Sequence, residues 1–135
     1  MTILVGYTPT SAGRAAVDFA IEEATVRNTD LLVINAGIGE QKDEAGVAGD
    51  KQMEALRAAL TESGVQFSLV QHLRGNDAAE ELLAVAEDNQ NITMIVIGSR
   101  RRSPVGKLIM APTTQRLLLE AGCPVLCVKE GYESA

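Results

Sequence analysis

Five short apolar runs, most of them rich in β-branched residues, alternate along this chain with longer segments whose apolar residues recur at helical spacing. Residues 2–7 (TILVGY), 30–36 (DLLVINA), 66–73 (QFSLVQHL), 93–98 (TMIVIG) and 124–129 (PVLCVK) read as strands. Near-continuous apolar runs suit parallel strands covered on both faces. Residues 66–73 alternate instead and read as a strand nearer the sheet edge. Parallel neighbours must be joined by crossovers, which are right-handed and carry a covering helix. The order βαβαβαβαβ therefore predicts an α/β fold: a doubly wound, five-stranded parallel sheet sandwiched by about four helices, in a single domain spanning residues 1–135.

The helical segments carry their own punctuation. Ser11 is the expected cap of the first, whose stripe is Ala15, Phe19, Ala20, Ala24 and Val26. The second covers about residues 50–63, with Met53, Leu56, Ala59 and Leu60 on one face and Gly64 just past its end. Asn76 is the expected cap of the third, with Ala79, Leu82, Leu83 and Ala86 facing inward. Pro112 suits the first turn of the fourth, where its missing N–H costs little; Leu117, Leu118 and Ala121 follow, with the end near Gly122. Residues 37–49 read as a polar, glycine-rich loop and 131–135 as a frayed tail.

Composition removes several function classes. Aromatics make up 3% and Trp is absent, so the core is aliphatic and stacking platforms for single-stranded nucleic acid are nearly missing. A net charge of −6 repels phosphate backbones and anionic lipid, so neither nucleic acid nor membrane is an expected partner. Cys123 and Cys127 are four apart, outside the redox C-x-x-C spacing, and read as buried apolar thiols in a reducing compartment. No signal-like start and no apolar run near the roughly 20 residues of a membrane span are visible, so the expected location is cytoplasmic.

In doubly wound sheets ligands bind beyond the carboxyl ends of the strands, where the winding reverses. That places a candidate crevice among Thr8, Thr10, Ala36 at the end of the second strand, and residues 98–114. Arg100, Arg101 and Arg102, with Lys107, concentrate cations there in an acidic chain, just before a helix N-terminus. Backbone amides and the helix dipole favour an anion at such a place, and the arginine fork suits phosphate. The plainer reading is a solvated basic loop. A P-loop is excluded, because Arg101 stands where it needs glycine and Leu108 where it needs a hydroxyl. Ser99, in I-G-S-R-R, is not a hydrolase elbow. His72 has no nucleophile or acid at a telling spacing and reads as a surface or structural histidine. Glu22–Glu23 and Glu80–Glu81 read as solvated helix faces. With no activated nucleophile or acid–base pair, no enzyme is expected.

The segments I-L-V-G-Y, V-I-G-S-R-R-R-S-P-V-G-K-L and C-P-V-L-C-V-K resemble the universal stress protein family, and the likeness runs the length of the chain. The resemblance implies a fold of the adenine-nucleotide alpha hydrolase-like or flavodoxin-like kind. Its nucleotide-binding members hold ATP with an acidic residue after the first strand and a G-x-x-G-(nine residues)-G-[ST] loop. Gly98 matches the first glycine. Arg101, Ala111 and Pro112 stand at the second glycine, the third glycine and the hydroxyl, and Thr8 at the acidic position. Arg101 and Ala111 restrict the positive φ that glycine allows, and Pro112 removes an amide donor and a hydroxyl. Thr113 and Thr114 keep hydroxyls and amides close by. The implied protein is a small cytoplasmic stress-response regulator with a degenerate adenine-nucleotide pocket, binding ATP or AMP weakly or not at all. Its implied partner is a second copy, paired through the last strand at Val125, Leu126, Cys127 and Val128. The alternative is a nucleotide-sensing switch that loads ATP, AMP or cyclic AMP, with the arginines replacing the glycine loop.

Overall fold

The computed structural model describes residues 1–36, 47–72, 77–99 and 111–132. Along the chain these form β1 (Thr2–Gly6), α1 (Ser11–Arg27), β2 (Asp30–Ala36), α2 (Asp50–Ser63), β3 (Phe67–His72), α3 (Ala78–Asp88), β4 (Ile92–Ser99), α4 (Pro112–Glu120) and β5 (Val125–Lys129). The strands make one five-stranded sheet in the order β3-β2-β1-β4-β5, parallel throughout. The expected strand over residues 66–73 is indeed an edge, and β5 is the other.

Strand alternation divides the core into two layers. On one face Ile3, Val5, Leu31 and Val33 meet Ala16, Val17 and Ala20 of α1 and Leu56 and Leu60 of α2. On the other, Leu4, Ile34, Ile95 and Ile97 meet Leu82 of α3 and Leu117 of α4. Each fully buried Leu or Ile contributes roughly 1.5–3 kcal/mol of transfer free energy, so the central strand β1, apolar on both sides, anchors both layers. Helix α1 buries small residues, Ala12, Ala15, Ala16, Ala20 and Ala24, which lets it lie close to the sheet.

Several local expectations are corrected by geometry. The cap of α1 is Thr10, not Ser11: Thr10 is extended and its Oγ1 accepts from the Gly13 N–H at 3.0 Å. Ser11 lies one residue inside and donates to Glu130 Oε2 at 2.9 Å. Asp77 caps α3, accepting from the Glu80 N–H at 2.8 Å; Asn76 lies outside the described residues. Val26 is 77% exposed, because two residues beyond Ala24 a helix has turned about 200° from the stripe. Leu118, one residue past Leu117, is turned out of the core for the same reason, and Leu119 is 85% exposed. Gly64 ends α2 in the left-handed conformation, φ 81, as expected. Val47 and Ala48, expected in a loop, are fully buried. Tyr132 is not frayed: its ring packs edge-on against Phe19 at 5.6 Å and its hydroxyl donates to Glu22. Residues 133–135 lie outside the described residues.

Candidate functional site

Helix α1 follows β1 and α4 follows β4, so both begin at the carboxyl edge of the sheet. From β1 the chain passes to β2 on one side, and from β4 to β5 on the other. The winding therefore reverses between β1 and β4, where doubly wound folds open a crevice.

Two glycines set how closely this crevice is built. A Cβ on Gly98 would lie 2.0 Å from the Ala12 carbonyl oxygen, and one on Gly13 would lie 1.9 Å from the Thr8 carbonyl oxygen. The first turn of α1 thus fills the side-chain direction of Gly98, and Thr8, in the turn after β1, fills that of Gly13. The space that Gly98 was expected to leave for a phosphate is, in its side-chain direction, occupied by α1. The hydroxyls of Thr8 and Thr10 share a hydrogen bond of 2.9 Å, and Thr10 also holds the Gly13 amide. Thr8 therefore joins the helix cap and brings no charge.

Across the crevice, α4 starts without a side-chain cap: Ala111 precedes Pro112 at the first helical position. Ala111 has φ −60 and ψ 147, ordinary extended backbone rather than the positive φ open to a glycine. Thr113 is half-buried and Thr114 buried in the first turn. Arg100, Arg101, Arg102 and Lys107 lie outside the described residues. Ala36 is buried at the end of β2, in register with His72.

Two polar groupings at this edge were not foreseen. Asn35, wholly buried, donates from Nδ2 to the Tyr7 carbonyl at 2.8 Å and accepts on Oδ1 from the Ala48 N–H at 2.9 Å. Gln71 Nε2 donates to the same Oδ1 at 2.9 Å and to the Ala48 carbonyl at 2.8 Å. The only sequence signal was an amide inside the otherwise apolar run DLLVINA. The second grouping overturns the reading of His72 as lacking an acid. Its Nδ1 lies 3.0 Å from Oε2 of Glu81, which is only 8% exposed and so is not a solvated helix face. Tyr7 is buried in the same region, which pushes its phenol up from the ordinary value, Arg14 opposing.

A concavity of about 610 Å³ opens at the opposite end of the sheet between Asn28, Asp30, Ser63 and Gln66. It faces helix C-termini, whereas the switch-point crevice has the helix N-termini that favour an anionic ligand. Among the described residues no group of three or more His, Cys, Asp or Glu side chains could hold a metal, and no helix is long and apolar enough to cross a membrane.

A doubly wound parallel sheet, covered by helices on both faces and with two helix N-termini at its switch point, defines a three-layer α/β domain. The chain belongs to the universal stress protein family, whose model matches residues 1–129. A Universal stress protein from Mycolicibacterium smegmatis is 48% identical over 127 residues, covering 94% of this chain and 96% of that protein. The solved universal stress protein from Archaeoglobus fulgidus superposes with a TM-score of 0.76 at 26% identity, covering 95% of this chain and 97% of that one. A second Archaeoglobus fulgidus structure, in complex with dAMP, has a TM-score of 0.67 at 18% identity over 95% of this chain and 96% of that chain.

Proposed function

We propose that this chain is a homodimeric, cytoplasmic stress-response regulator without enzymatic activity, whose switch-point crevice binds adenine nucleotide weakly. The observation that carries the ligand reading is the start of α4. No side chain among the described residues caps it, and Pro112 at the first position leaves the amides of Thr113 and Thr114 as the donors of its first turn. The dAMP complex of a relative with the same fold supports the ligand class. Weak binding follows from Thr8, which is neutral and already bonded to Thr10, where the family's nucleotide binders carry an acid.

The dimer reading rests on β5. It is an edge strand, and Val125, Leu126 and Cys127 on it are only half-buried. Helix α4, on the same sheet face as Val125 and Cys127, adds exposed Leu118 and Leu119. An apolar edge of this kind suits antiparallel pairing about a two-fold axis.

Calorimetry against ATP, AMP and cyclic AMP at low salt tests the ligand. The expected dissociation constants are high-micromolar to millimolar, about −4 to −6 kcal/mol. Nanomolar binding, or excess absorbance at 260 nm from co-purified nucleotide, would favour the second reading. That reading is a true nucleotide sensor, and the run Arg100–Arg101–Arg102 favours it by supplying phosphate forks.

A further inference from the structure

Arg116, one turn into α4, gathers three carboxylates. Its Nε donates to Glu120 Oε2 at 3.0 Å, and its Nη1 lies 3.8 Å from Asp77 Oδ2 and 3.8 Å from Glu80 Oε1. Asp77 and Glu80 belong to the start of α3, where Oδ1 of Asp77 accepts from the Glu80 N–H while its other oxygen faces the arginine. Helix α3 follows β3 as α4 follows β4, so both start at the carboxyl edge of the sheet, and the two helices pack together. Arg116 is four residues past Pro112, about 6 Å along the helix. Two carboxylates thus stand near the helix start whose amides attract an anion, and they oppose it.

The distances decide how Arg116 acts on this pair. At 3.8 Å neither contact is a hydrogen bond, and all three side chains are 40–45% exposed. Surface pairs of this kind contribute little to stability. Their field reaches further: at about 10 mM salt the screening length is about 30 Å, which spans the first turn of α4. Glu81, the next acid of α3, has His72 at 3.0 Å instead.

We propose that Arg116 is a specificity-determining residue that sets the phosphate-charge preference of the crevice. It offsets Asp77 and Glu80, so that a multiply charged adenine nucleotide is admitted at the start of α4. This rests on the adenine-nucleotide reading of the crevice and deepens it, because it grades ligands by charge.

Calorimetry with adenosine, AMP and ATP at about 10 mM salt tests it. Adenosine is neutral, AMP carries up to about two negative charges and ATP more. Arg116→Gln should weaken ATP about five- to tenfold, AMP about two- to threefold and adenosine not at all. The loss should vanish at about 0.5 M salt, and the urea midpoint should barely move. Arg116→Lys, which keeps the charge, should bind as the wild type does, and Glu80→Gln should tighten ATP. Equal weakening of all three ligands would show a merely structural role and overturn the proposal. So would a lysine variant as weak as the glutamine one, or ATP affinity that no variant alters. A wild type that binds none of the three at millimolar concentration would fell the nucleotide reading itself, and the charge preference with it.

Discussion

Gly98 at the end of β4 faces the carbonyl of Ala12 in the first turn of α1, and a Cβ there would sit 2.0 Å from that oxygen. Backbone cannot give way as a flexible side chain can. Replacing Gly98→Ala should therefore destabilise the fold by about 3 kcal/mol, at the upper end of overpacking costs. Urea titration measures it. An unaltered midpoint would mean that Gly98 is free for ligand approach, as the motif alone suggests.

The start of α4 supplies a test of the phosphate side. Because Ala111 already has an unstrained negative φ, Ala111→Gly should add nothing to affinity. Pro112→Ser restores one N–H and one hydroxyl, each worth roughly 1.5–3 kcal/mol to a charged group, so ATP affinity should rise at least tenfold. Arg101→Gly separates the two functional readings by sign. A gain means that arginine blocks the loop; a loss of affinity by calorimetry at fixed low salt means that it binds phosphate and favours the sensor.

Light scattering at micromolar concentration should give a dimer mass for the wild type. Leu126→Lys, at a half-buried position on the edge strand, should yield monomer or insoluble protein. Val128→Lys is the poorer variant, since Val128 is buried in the α1 layer and its loss would unfold the chain before it reported on pairing. A monomeric wild type would end the dimer reading.

Burial pushes the thiols of Cys123 and Cys127 up from their ordinary value of 9.0. At pH 8 each should therefore carry less thiolate than a free cysteine and react more slowly with iodoacetamide, since the thiolate is the nucleophile. The sign for stability follows. A raised folded value means the contribution is fully present below the unfolded value and lost as pH rises through the folded one. The thermal midpoint should fall above about pH 9, less so in a Cys123→Ala, Cys127→Ala double variant. Labelling as fast as free cysteine would contradict this.

The strands and helices were legible in the residues because each is written in a local period: two for a half-covered strand, a continuous apolar run for a doubly covered one, and 3.6 for a helix. Caps were misplaced by one residue, Ser11 for Thr10, because both carry a hydroxyl and only backbone geometry decides which one reaches the Gly13 amide. That α1 and α4 start at one edge of the sheet was also foreseen, since the βαβ order forces both helix N-termini there. What each residue does there was not. Glu81 meets His72 across nine residues only because α3 folds back onto the sheet over β2 and β1, beside the end of β3. Asn35, Ala48 and Gln71 converge from β2, the approach to α2, and β3. Gly98 meets Ala12 across 86 positions of chain. Such partners have no common local pattern, because hydrogen bonds and close contacts depend on distance in space. That distance is set only when the sheet takes its order, β3-β2-β1-β4-β5.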